Sequence, residues 1–204
     1  MDDDQRQGPL EIAFVGDLTD NEADLTDKIL SVEPGGECTL YIDSPGGSPY
    51  CAMSLVSLML LRRIQATGIV TGECSSAALW PFAACKRRLV TPFSILLFHS
   101  MKWQSEEHVG LQEAAEWARH FGTLESEMDR LLAQLFGIND GELRSWINAG
   151  RYVSGGELAA AGLAELIDVH SFRATEMNGA AKRLKPGAAK RTAMGPSRKR
   201  RGRS

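Results

Sequence analysis

The 204 residues contain no arrangement suited to a metal, a disulfide or a nucleotide. Four cysteines, Cys38, Cys51, Cys74 and Cys85, stand apart from one another with no CxxC pair and no neighbouring His. That excludes the usual spacing of a zinc site or a disulfide framework and leaves reduced thiols. There is no phosphate-cradling loop and no dinucleotide fingerprint, so any ATP dependence has to come from a partner. Ser, Arg or Pro interrupts every apolar stretch well short of the ~18 residues that cross a bilayer. The opening "MDDDQRQGPL" also lacks the apolar core of a signal peptide. The expectation is a soluble, cytoplasmic protein with no cofactor, no metal and no membrane contact.

Acid is missing from one end. From Lys182 onward there are 10 of the 23 Lys and Arg and none of the 26 Asp and Glu, so the rest of the chain carries 13 basic against 26 acidic residues. The tail, "KRLKPGAAKRTAMGPSRKRRGRS", has almost no large apolar group and reads as disordered. Two uses stay open for it, an arm for nucleic acid or another acidic partner and a solubilising extension. The whole chain is 43% hydrophobic, enough for one substantial core and one domain. The expected division is a short segment 1–9, a domain 10–170 and a basic tail 171–204.

Within that domain, strand and helix patterns alternate. "LEIAFVGDL" (10–18) reads as a strand; a helix follows in which Thr19 or Asp20 can cap and Leu25, Ile29 and Leu30 share a face. "CTLYIDS" (38–44) is a second strand, "PGGS" a sharp turn and "YCAMSLVSLMLLRRI" a buried helix. "IQATGIVTG" is a strand that leads into "GECSSAALWPFAAC" (72–85), where a helix starts and Pro81 is tolerable only in its first turn or so. "SILLFHS" (94–100) is another strand. From Glu106 to Phe136 a long helix carries Trp117, Phe121, Leu124, Met128, Leu131 and Leu135 at spacings of three and four, a stripe for core or partner contact. "NDGELRSWIN" opens a shorter helix, and "SGGELAAAGLAELIDV" (154–169) a last helix running into a strand. The alternation argues for an α/β domain with a largely parallel sheet, in which sites collect at the carboxyl ends of strands.

Three such ends carry chemistry. Gly46 and Gly47 allow backbone N–H groups to face a ligand at close range. "GECSS" places hydroxyls at a helix start, where developing negative charge is favoured. His99 ends an apolar strand with a titratable ring. Each element has a plain structural use as well, respectively a turn, an N-cap and a satisfied core group. Together they form the minimum kit for acyl transfer: nucleophile, base and oxyanion donors.

These residues resemble the proteolytic subunit of the ATP-dependent Clp protease, over residues 10 to 169. The resemblance is carried, in the family's order, by "LYIDSPGGSPYCAMSLVSLML", "GECSSAALWPFAAC", "SILLFHS" and "RYVSGGELAAAGLAELID". It implies an α/β fold of the Clp protease and crotonase type, with repeated ββα and βα units and a long protruding handle helix. It also implies a serine endopeptidase that hydrolyses peptide bonds inside an oligomeric chamber. The family's count from Gly72 selects Ser76 as nucleophile, with His99 as general base and the amides of Gly47 and Ala77 as the oxyanion hole. The implied partners are further copies in stacked heptameric rings, a peptide or unfolded protein as substrate, and an AAA+ unfoldase.

The pattern breaks in two places. The family's third triad member is an Asp two residues before the aromatic of its "R-F-x-S" segment; here that aromatic is Tyr152 and the position holds Gly150. Asn148 is the nearest polar candidate, with Asp140 and Glu142 further back. The segment before the first strand, which forms pore loops in the family, is reduced to residues 1–9. Two other readings stay open: a catalytically silent structural subunit of the same fold, and a crotonase-like acyl-CoA enzyme. A phage-type maturation protease is a variant of the same chemistry.

Overall fold

In the computed structural model residues 8–104 and 108–169 are described. The expected disordered tail, 171–204, and nearly all of the segment 1–9 lie outside the described residues. Strand β1 (Leu10–Val15) buries Ile12 and Phe14 on one face and pairs in parallel with β2 (Glu37–Ser44). Next to β2 lies β3 (Gln65–Ser75), then β4 (Arg87–Val90) and, at the far edge, β7 (Glu165–Leu166), all parallel. The α/β architecture with a mostly parallel sheet, expected from the alternating pattern, is the one found. The described residues up to Asp168 form one compact unit.

Strand β3 positions the site, because it changes neighbours along its length. Thr67 to Val70 pair with β4, whereas Glu73 to Ser75 pair in parallel with β5 (Ile95–Phe98). Between the two stretches the register with β2 slips: Ile42 faces Val70, but Ser44 faces Cys74. Asp43 secures this irregularity by accepting a hydrogen bond from the Glu73 amide at 2.9 Å. Only glycine fits beside it, since a Cβ on Gly72 would stand 2.5 Å from Asp43 Oδ1. The bend delivers the end of β3 next to the end of β5. Strand β6 (Arg151–Ser154) then adds to β5 in antiparallel fashion.

Helix α1 (Leu18–Ser31) is capped by Asp17, which accepts from the Thr19 amide at 2.7 Å; the cap thus lies ahead of the Thr19 or Asp20 expected, and Leu30 faces solvent. Helix α2 (Pro49–Leu61) begins with Ser48 as cap and proline at its first position, where the missing N–H costs nothing. A single 3-10 turn, Ser76–Ala78, leads into α3 (Leu79–Ala84), with Pro81 in the first turn. The long helix α4 runs Leu111–Phe136. Its C-terminal half buries Met128, Leu132, Ala133 and Phe136, while Trp117 and Phe121 nearer its start are half-buried. Helices α5 (Asp140–Ile147) and α6 (Gly155–Ala160) follow, the latter closed by a reciprocal capping box between Ser154 and Glu157. No helix among the described residues is long and apolar enough to cross a membrane.

Candidate active site

At the carboxyl ends of β2, β3 and β5, three chain segments and helix α4 enclose a cavity of about 170 Å³. Gly47, Ser76, Ala77 and His99 line it, so the residues expected as nucleophile, base and oxyanion donors come together there, whereas Asn148 is not among its lining residues.

The turn at the end of β3 explains the paired serines. Ser75 ends the strand in extended conformation and points inward; it is buried, and its Oγ has no hydrogen bond among the described residues. Ser76 has φ +52°, in the left-handed region that L-residues avoid at a cost of about 1–2 kcal/mol. Such a reversal turns Ser76 out of the strand direction and into the cavity. The loop after β2 packs directly behind it. A Cβ on Gly46 would lie 2.8 Å from the Ser75 carbonyl oxygen, 2.8 Å from Ser76 Cβ and 2.9 Å from the Ala77 nitrogen. Gly47, with φ +144°, is held against the cap of α1, where a Cβ would meet Asp17 Oδ1 at 2.6 Å. The Gly47 N–H makes no hydrogen bond among the described residues, so it is available to a ligand.

His99 follows the last residue of β5. Its Nδ1 lies 2.7 Å from the carbonyl oxygen of Ser100. A carbonyl only accepts, so Nδ1 carries the proton and Nε2 is left with its lone pair, the tautomer a general base requires. Among the described residues no hydrogen bond joins Ser76 to His99; such bonds are often long before substrate binds.

The Nδ1 partner therefore differs from the one expected. Asn148 forms the C-cap of α5, its amide bonded to the Arg144 carbonyl, and it makes no hydrogen bond to His99. Together with Ser100 and Glu125 it lines a neighbouring opening instead. Asp140 and Glu142 occupy the first turn of α5 and do not bond the imidazole either. The ladder between β5 and β6 pairs Leu97 with Tyr152 and Phe98 with Arg151. His99 and Gly150 each stand one residue beyond the end of that ladder, Gly150 in a turn with φ +61°. No carboxylate stands at this position.

The remaining walls were not foreseen as part of a site. Trp80 and Met128 form an apolar side, with the indole Nε1–H donating to the Met128 carbonyl at 2.8 Å. Met101 and Lys102 border the cavity after His99, and Glu125 and Asp129 project from α4. Glu125 accepts from the Met101 amide at 2.7 Å. Burial, reinforced by Glu125 and Asp140 and opposed by Arg144, pushes the Asp129 carboxyl up to about 6. The signal for this wall was the spacing of Glu125 and Asp129, four apart on one helix face beside Met128. Among the described residues no cluster of His, Cys, Asp and Glu could hold a metal ion. A family model described as Clp protease matches residues 11–170.

Proposed function

This chain belongs to the Clp protease family, and we propose that it is a serine endopeptidase in which Ser76 is the nucleophile and His99 the general base, working inside an oligomeric chamber. Ser76 Oγ bonds to the carbonyl carbon of the peptide while its proton passes to His99 Nε2. The negative charge that collects on the carbonyl oxygen is met by the amides of Gly47 and Ala77. The C–N bond then breaks as His99 gives its proton to the leaving amine, and water hydrolyses the acyl-serine by the same steps. Ser100 contributes only its carbonyl, which holds the imidazole in the working tautomer. A backbone carbonyl lacks the full negative charge that stabilises an imidazolium, so turnover is slower than with an aspartate, whose tautomer-setting role alone is worth on the order of 10⁴ in turnover.

The observation that carries this reading is the strained turn at Ser76 opening into the same cavity as His99, whose Nε2 is free to accept a proton. Hydrolysis of fluorogenic peptides and labelling by a fluorophosphonate should both vanish in Ser76→Ala and persist in Ser75→Ala. Equal activity in wild type and Ser76→Ala refutes the assignment.

A second reading, a silent subunit within a mixed ring, is favoured by Gly150 standing where a carboxylate is wanted. Labelling of the isolated wild-type protein separates the two, because a silent subunit does not react. The substrate is an unfolded or short polypeptide, and an AAA+ unfoldase is the partner that would deliver it, in line with the family's pairing of peptidase rings with Clp ATPases.

A further inference from the structure

We propose that the cavity beside Ser76 receives a basic side chain, so that the protein cleaves peptides after Lys or Arg. This rests on the peptidase reading above and extends it by naming the substrate class.

Glu125 and Asp129 lie one turn apart on α4 and face the cavity that Ser76 and His99 border from the other side. Between them, Trp80 and Met128 offer an apolar surface suited to the methylene stem of Lys or Arg, whose charged end then reaches the carboxylates. The volume, about 170 Å³, is below the ~300 Å³ at which sites for drug-sized ligands begin, and fits one long side chain.

The charge in the cavity is not balanced internally. Lys102 is the single Lys or Arg among its lining residues, set against two carboxylates, and neither Glu125 nor Asp129 forms a salt bridge among the described residues. Glu125 is held in place by the Met101 amide, so little side-chain freedom is lost when a cation arrives. An apolar side chain in the same space would strip water from both carboxylates and give them no partner. Discrimination follows from that unpaired burial as much as from attraction.

The preference also depends on pH. The groups facing Asp129 are Glu125 on α4, Asp140 and Arg144 on α5, and, across the cavity, His99 and Lys102 after β5. With its carboxyl pushed up to about 6, Asp129 is largely protonated at pH 5 and ionised at pH 8. Selectivity for a basic residue rises over that interval.

The test uses the full-length protein and fluorogenic peptides that differ only in the residue before the cleaved bond: Arg, Lys, Leu or Met. The readout is the ratio of kcat/KM for Arg to that for Leu at one pH, which cancels effects common to both substrates. Wild type should favour Arg by about tenfold or more at pH 8 and by less at pH 5. Glu125→Gln with Asp129→Asn should lower the ratio about tenfold, and Lys102→Met should raise it. A wild-type preference for Leu or Met, or a ratio indifferent to the double substitution, overturns the proposal and leaves the peptidase reading standing. No hydrolysis of any peptide, together with no fluorophosphonate labelling, overturns both.

Discussion

At the scale of single residues, the site turns on what Gly150 and Asp129 do to their neighbours. A Cβ at Gly150 would meet nothing within 4 Å, and its φ of +61° is one that Asp tolerates better than most residues. Because Gly150 stands one residue beyond the end of the β5–β6 ladder, as His99 does, Gly150→Asp should bring a carboxylate near the imidazole. The expected outcome is a rise of about 10–100-fold in kcat for peptide hydrolysis. It should come with a loss of about 1 kcal/mol in urea unfolding; a slower or unchanged enzyme would deny the pairing. Asp129 gives a prediction of opposite sense. Its carboxyl sits higher in the folded protein, at about 6, than in the unfolded chain. The protonated form is thus the one folding favours, and that contribution is complete below the unfolded value near 4 and lost as pH rises through about 6. Asp129→Asn should therefore stabilise the protein at pH 8, by no more than about 1–2 kcal/mol once solvent screening of a half-exposed group is allowed for. At pH 4 the gain should disappear. Urea midpoints of the two proteins at the two pH values check this.

At the scale of elements, legibility followed side-chain pattern. Apolar runs announced β1, β2, β3 and β5, and Gly46, Gly47, Ser76 and His99 marked their ends. Strands β4, "RRLV", and β6, "RYVS", went unread, since each has four residues and two or fewer apolar side chains. The Ser100 carbonyl could not be read at all, since a backbone acceptor has no sequence signature. The stripe on α4 was legible as a packing surface, whereas its acidic face toward the cavity became meaningful only once α3 fixed the helix in place. Trp80 makes that connection. It is buried on α3 and donates to the Met128 carbonyl of α4 at 2.8 Å. Trp80→Phe keeps an aromatic ring and removes the donor. It should cost about 1–3 kcal/mol and lower kcat/KM for all peptides, through displacement of the wall that carries Glu125 and Asp129. Amide hydrogen exchange should then speed up in the C-terminal half of α4 more than in β1 and β2. A uniform change across the sheet would mean global loosening instead.

At the scale of the whole molecule, the question is what covers the first half of α4. Trp103 stacks on Phe121 with ring centres 5.5 Å apart and meets Trp117 edge-on at 6.0 Å. Leu111, at the start of the helix, is 87% exposed. Three large aromatic side chains gathered in this way mark a contact surface. If copies meet through this surface, as the proposed chamber requires, the neighbour that covers Trp117 and Phe121 would also steady α4, which flanks the active cavity, and would couple assembly to catalysis. The protein is therefore expected to sediment as a multi-subunit species at micromolar concentration. Phe121→Glu, which buries a charge in the contact without touching the cavity lining, should shift it toward monomer, and peptide hydrolysis should fall with the oligomer and recover as protein concentration rises. A wild type that sediments as a monomer while fully active would break the link between ring assembly and the site.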